Sequence, residues 1–183
     1  MRDKIIVFLS KLATGNRKVR ILLTPLGGGA FIVFSICFLL ISLMVDDLLR
    51  IPRFIFLPYN LLISIPILTL GLLLILWSSL LFAKAKGTPV PFSPPTQLVT
   101  TGPFASIRNP IVLGYILLFL GIGLLLGSIS LVLITTPFYF LLLVLEIKLI
   151  EEPELEKRLG KEYIEYKERV PMFIPRLRMK VKK

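Results

Sequence analysis

Histidine is absent from this 183-residue chain and cysteine occurs once, at Cys37. The first absence removes Ser-His and Cys-His nucleophiles, the usual zinc sites and histidine acid/base chemistry together. The second removes any intrachain disulfide, so redox chemistry says nothing about the compartment. Cys37 lies inside an apolar run, where it reads as a small packing or lipid-facing residue. Acidic residues are also scarce, 11 against 22 Lys and Arg, which leaves a net charge of +11. Hydrophobic residues make up 55% of the chain and charged ones 18%, with a mean hydropathy of +0.85. Those proportions exclude an ordinary soluble domain and point to an integral membrane protein. The positive charge is then a topology signal before it is a nucleic-acid signal, and no nucleic-acid or metal partner is expected.

Three stretches carry no charged side chain: 21–45, 54–83 and 109–145. A membrane-crossing helix needs about 20 apolar residues, so the first two are one span each and the third holds two, divided near Gly127, Ser128 and Ser130. The expected fold is all-α, a polytopic helical bundle with spans near 26–45, 57–82, 111–127 and 130–149, the last two forming a hairpin. A fifth short helix at the N-terminus would make five. A further charge-free stretch, 87–107, is rejected as a span because its prolines at 89, 91, 94, 95 and 103 would break backbone hydrogen bonding in lipid. With four spans, twenty Lys and Arg fall on one side and two, Arg50 and Arg53, on the other. Both termini and the 84–108 loop are therefore expected in the cytoplasm. No secretory signal is expected, since the apolar part of the N-terminal segment, Ile5 to Leu9, is short. The segment KIIVFLSKL suits an interfacial helix on an anionic leaflet, with a disordered basic leader as the competing reading. The chain divides into a basic leader (1–25), two spans (26–83), a Pro-rich loop (84–110), a helical hairpin (111–149) and a cytoplasmic C-terminal segment (150–183), all one domain.

Chemistry concentrates in two of these segments. The Pro-rich loop taken alone reads as a stiff connector, but Arg108 stands just before a helix that Pro110 can start without cost, and free N–H groups there attract anions. The segment 146–176 holds eight of the eleven acidic residues. Taken alone it reads as a solvated helix with Tyr163 and Tyr166 on one face and an end before Pro171. Glu146 fits that reading worst, because it still lies in the apolar run and must snorkel or find a partner such as Lys148, Lys84 or Lys86. The GIG at 121–123 lacks any Rossmann context and reads as helix packing in the hairpin.

Together the two segments resemble the isoprenylcysteine carboxyl methyltransferase family and, more loosely, the membrane phospholipid N-methyltransferases. The first motif is Leu98, Val99, Gly102, Pro103, Phe104, Arg108, Asn109, Pro110 and Gly114; the second is Glu151, Glu152, Leu155, Leu159, Gly160, Tyr163 and Tyr166, closing with Val170, Pro171 and Pro175. The resemblance covers about residues 87–176. Asn109, Val112 and Leu159 stand where the family usually has His, Tyr and Phe.

The resemblance implies a methyltransferase that uses S-adenosyl-L-methionine at the cytoplasmic face and takes a lipophilic acceptor from the bilayer, an isoprenylcysteine-like carboxylate in the first instance. It implies cofactor contacts from Leu98, Val99, Gly102, Pro103, Arg108, Asn109, Pro110, Gly114, Glu151, Glu152 and Tyr163, with Arg108 and Glu152 closest to the chemistry. Methyl transfer from a sulfonium needs alignment and exclusion of water more than acid/base groups, which suits a chain without histidine. The cofactor's zwitterionic end asks for one cation and one carboxylate, which Arg108 and Glu151 or Glu152 supply. A lipid-amine N-methyltransferase, an NADPH-dependent membrane reductase of related fold and a non-catalytic family member are the competing readings.

Overall fold

A computed structural model describes residues 2–175; residues 176–183, the basic end of the expected C-terminal segment, lie outside the described residues. Among the described residues the chain is all helical. α1 is Arg2–Ala13, α2 Arg17–Leu48, α3 Tyr59–Lys84, α4 Pro110–Leu126, α5 Thr136–Glu146, α6 Glu152–Leu159 and α7 Lys161–Arg169. Wide π turns at Ser130–Thr135 and Ile147–Glu151 join α5 and α6 into one long helix, Ser130–Leu159. Three helices, Lys18–Leu48, Tyr59–Lys84 and Ser130–Leu159, are long and apolar enough to cross a membrane. α4, with 17 residues, rises about 25 Å and is correspondingly shorter than the hydrocarbon core.

Two boundaries differ from the sequence expectation. α2 begins nine residues before the expected 26, because Asn16 caps it, its side chain accepting from Lys18 N at 2.9 Å, and the basic stretch that follows is made of good helix formers. The last span does not stop at 149 but continues through the second π turn to Leu159, so the membrane helix and the start of the acidic segment are one rod. The N-terminal leader is helical in α1, which packs on α6 and the preceding π turn through a face that buries Ile6.

The hairpin forms where the small and polar residues predicted it. Gly127 ends α4 in the left-handed region at φ 65°, a conformation glycine adopts without a Cβ penalty. Asp46 of α2 then caps the returning arm, accepting from Ser128 Oγ and from Ser130 N. Farther along the same face of α2, Ser42 bonds Thr135, and Ser35 bonds the buried Tyr139 hydroxyl at 2.7 Å. Such interhelical bonds supply registration that apolar contact in lipid does not. Around Tyr139 the core is aromatic: Phe119 stacks on it at 4.5 Å, and Phe31 and Phe38 pack beside it.

α3 and α4 share the most extensive contact in the bundle, and small residues permit it. The buried positions of α3 are Ser64, Gly71 and Ser78, seven residues apart. A Cβ on Gly114 of α4 would fall 2.8 Å from the Gly71 carbonyl and 2.6 Å from Ile75. The two glycines of the GIG stretch pack in different directions, Gly123 against Val132 of the hairpin partner and Gly121 against Leu68 of α3. Gly114→Val therefore overpacks a backbone crossing and should lower stability by about 1–3 kcal/mol. Denaturation midpoints in detergent check this, and an unchanged midpoint would show that the crossing is looser than described.

Candidate active site

The Pro-rich loop doubles back on itself beside the bundle. Thr88 N donates to Ser93 O at 2.7 Å, and Gly87 lies so near the Pro94–Pro95 backbone that a Cβ would stand 2.2 Å from Pro95 N. The 3₁₀ turn Gly102–Ala105 follows, and its buried Phe104 stacks on Phe82 of α3 at 4.9 Å. Gly102, at φ 60°, fits under Trp77 and Leu81. The loop is thus fastened to α3 before it reaches Arg108.

The C-terminal helices fasten it from the other side. Gly160, also at φ 60°, turns the chain from α6 into α7 and places Tyr163 and Tyr166 inward, both buried. The Tyr166 hydroxyl donates to Phe104 O at 2.7 Å. Beyond α7 the backbone returns, so that Arg108 N donates to Pro171 O at 2.9 Å and Asn109 N to Met172 O at 3.2 Å. Arg158 donates through Nε to Glu154 at 2.9 Å and through Nη1 to Pro95 O at 3.0 Å.

At the centre, Arg108 Nη1 donates to Glu152 Oε1 at 2.7 Å, across 44 residues of sequence and with side chains only 10% and 7% exposed. Lys167 Nζ holds the other oxygen of Glu152 at 2.6 Å and Glu156 at 2.9 Å. Its hydrogen bond to Glu152 raises the Lys167 pKa, so the ammonium persists to higher pH than an ordinary lysine's. Burial pushes the Tyr166 hydroxyl up to about 12 and raises that of Tyr163 as well, with the Glu152 charge adding to the effect at Tyr163. Both phenols therefore stay neutral donors through the physiological range. Arg108 Nε is buried without a hydrogen-bond partner.

Arg108, Glu154, Arg158, Tyr163 and Tyr166 line a cavity of about 750 Å³, within the range of small-molecule sites. Of the residues singled out from sequence, Leu98, Val99, Arg108, Asn109, Glu151 and Tyr163 line it. Gly102, Pro103, Pro110, Gly114 and Glu152 do not: Gly102 and Gly114 serve helix contacts, Pro103 and Pro110 begin the 3₁₀ turn and α4, and Glu152 lies behind Arg108. The cavity also takes wall from residues that sequence reasoning did not single out, among them Tyr115, Arg158, Gly27, Gly28 and Phe31. Tyr115 could have been found, since it stands one turn after Val112 on the same face of α4 and brings the aromatic hydroxyl missing at 112. The α2 contribution had no local signal.

The sequence model of the phospholipid methyltransferase family matches residues 59–162, more than half of the chain. The chain belongs to the phospholipid methyltransferase family. It is a membrane methyltransferase, and the match runs from the start of α3 to the first turn of α7, covering the Pro-rich loop and the last long helix and ending just before Tyr163 and Tyr166. No curated protein and no solved structure matches the chain significantly. α1 and α2, which close the remaining side of this methyltransferase's cavity, lie outside the matched region.

Arg108→Ala removes the cation of the Pro-rich loop that pairs with Glu152. It should weaken S-adenosylhomocysteine binding by about 1.5–3 kcal/mol, the range for a charged hydrogen bond. Calorimetry checks this, and unchanged affinity would remove Arg108 from the ligand site.

Proposed function

We propose that the protein transfers a methyl group from S-adenosylmethionine to a lipophilic acceptor that reaches the cavity from the bilayer. The observation that carries this reading is the single cavity to which both motif segments bring charged groups, Arg108 from the Pro-rich loop and Glu151 and Arg158 from the last long helix. The wall fits the cofactor group by group. Arg108 complements the cofactor's carboxylate, Glu151 its ammonium, and the Tyr163 hydroxyl can donate to either oxygen of the bound carboxylate. The prolines at 89, 91, 94 and 95, with Leu98 and Val99, offer the flat apolar surface and backbone groups that an adenine needs. When bound, the cofactor supplies an electrophilic methyl carbon on a sulfonium.

What the chain contributes is placement and dryness. α2 presents Gly27, Gly28 and Ala30 to the cavity, side chains too small to fill it, next to Phe31 and Phe34. A lipid chain can lie along that wall while its head stays among the charged groups. The carboxylate acceptor implied by the likeness to isoprenylcysteine carboxyl methyltransferases and the amine acceptor implied by phospholipid methyltransferases share this geometry. The charge asymmetry of 20 basic residues to 2 supports a cytoplasmic placement for the cavity and both termini.

Incubating the purified protein in lipid nanodiscs with methyl-labelled S-adenosylmethionine tests the reading. Label is expected in the organic phase, with transfer that rises with the acceptor's chain length. Label retained only on water-soluble acceptors, or transfer equally fast to short and long chains, would contradict access from the bilayer.

A further inference from the structure

The first 20 residues carry six basic side chains against one acidic, Asp3, and none of the seven lines the cavity. They lie outside the residues that the family model matches. α1 meets the last long helix through the face that buries Ile6, and Leu9, one turn on, reaches the cavity lining. Successive residues of a helix point about 100° apart, so positions 4, 8 and 11 fall together on the side away from Ile6 and Leu9. That side carries Lys4, Phe8 and Lys11, all exposed, Phe8 by 58%.

The elbow between α1 and α2 fixes the height of this face. Only Thr14, Gly15 and Asn16 join the two helices. Thr14 N donates to Ser10 O at 3.2 Å and Gly15 N to Leu12 O at 3.1 Å, while Asn16 caps α2. Ile21 and Leu22, both well exposed, open the charge-free stretch of α2. A hydrocarbon edge set at that point places Lys18 and Arg20 within one turn of it, at the level of the lipid head groups, with α1 held beside them. Among the described residues Lys4, Lys11 and Lys18 make no ion pair. A phenyl ring between two such lysines is a poor surface for water. It suits a head-group layer, where the ring enters the acyl boundary and the ammonium groups meet phosphates.

We propose that α1 and the first turn of α2 form a docking surface for anionic phospholipid head groups. Charge complementarity selects this occupant. A zwitterionic head group brings no net charge to three unpaired ammonium groups, and an acidic peptide would leave Phe8 in water. Since Leu9 stands on the other side of the same short helix, the lipids that seat α1 also hold that part of the cavity wall.

The test uses the full-length protein in nanodiscs of equal parts phosphatidylcholine and phosphatidylglycerol. Ile5→Cys in a Cys37→Ser background carries a bimane label on the flank of the proposed surface. Quenching is compared between the two lipids, each in turn bearing a nitroxide near the top of one acyl chain. Phosphatidylglycerol is expected to quench more strongly than phosphatidylcholine. The excess should vanish when Lys4→Gln, Lys11→Gln and Lys18→Gln are combined, each charge being worth about fivefold in local lipid preference. It should also vanish as salt rises from about 0.1 M to about 1 M, which shortens the screening length from about 10 Å to about 3 Å. The salt arm needs no charge variant, so it decides the matter even if the triple variant does not fold. Equal quenching by the two lipids would overturn the proposal, as would quenching by neither, which puts this face in water. An excess that survives high salt would overturn it too. So would quenching by both lipids that falls as the protein-to-lipid ratio rises, since that places a second copy of the chain on α1.

Discussion

The ion pair between Arg108 and Glu152 is the constraint on which the cavity depends. Arg108 ends the Pro-rich loop, Glu152 begins α6, and a hairpin of two helices separates them in sequence. A buried pair of this kind gains little net stability, because desolvation offsets most of the attraction, but losing one partner leaves an uncompensated charge. Its contribution is specificity of arrangement: a hairpin arm displaced along the bundle would strand both charges. Lys167 strengthens the same point from α7, so three elements meet at one carboxylate.

That carboxylate stands behind the cavity rather than on it, and this divides the adjacent Glu151 and Glu152 into separate tasks. Neighbouring residues on a helix point about 100° apart, so one can face inward to a ligand while the other faces the structure that holds Arg108. Orientation of a binding cation by a buried, fully engaged carboxylate is the arrangement a preorganised site requires. Arg108 keeps its place on the cavity wall while its Nη1 is fixed by Glu152.

Much of this was legible in the sequence. The four apolar helices, the hairpin break at Gly127 and Ser128, the helix start at Pro110 and the lack of any long helix over 87–107 all follow from hydrophobic length and from proline and glycine chemistry, which act locally. The meeting of Arg108 with Glu152 followed from topology, since a hairpin returns the chain to the side it left. The wall contributed by α2 was not legible, because Gly27 and Gly28 acquire their role only when Val90 and Phe92 pack against them. Nor was the π turn at Ile147–Glu151 read from the sequence, although Pro153, two residues past it, lacks the N–H that a regular helix would give back to Leu149.

Since the account's central claim is that two segments distant in sequence form one methyl-donor pocket, direct photo-cross-linking of labelled S-adenosylmethionine, followed by peptide mapping, tests it most directly. The account predicts adducts both in the Pro-rich loop and start of α4, within 88–115, and in the last long helix and α7, within 142–166. Adducts confined to one segment, or lying in the hairpin turn at 127–130, would contradict it.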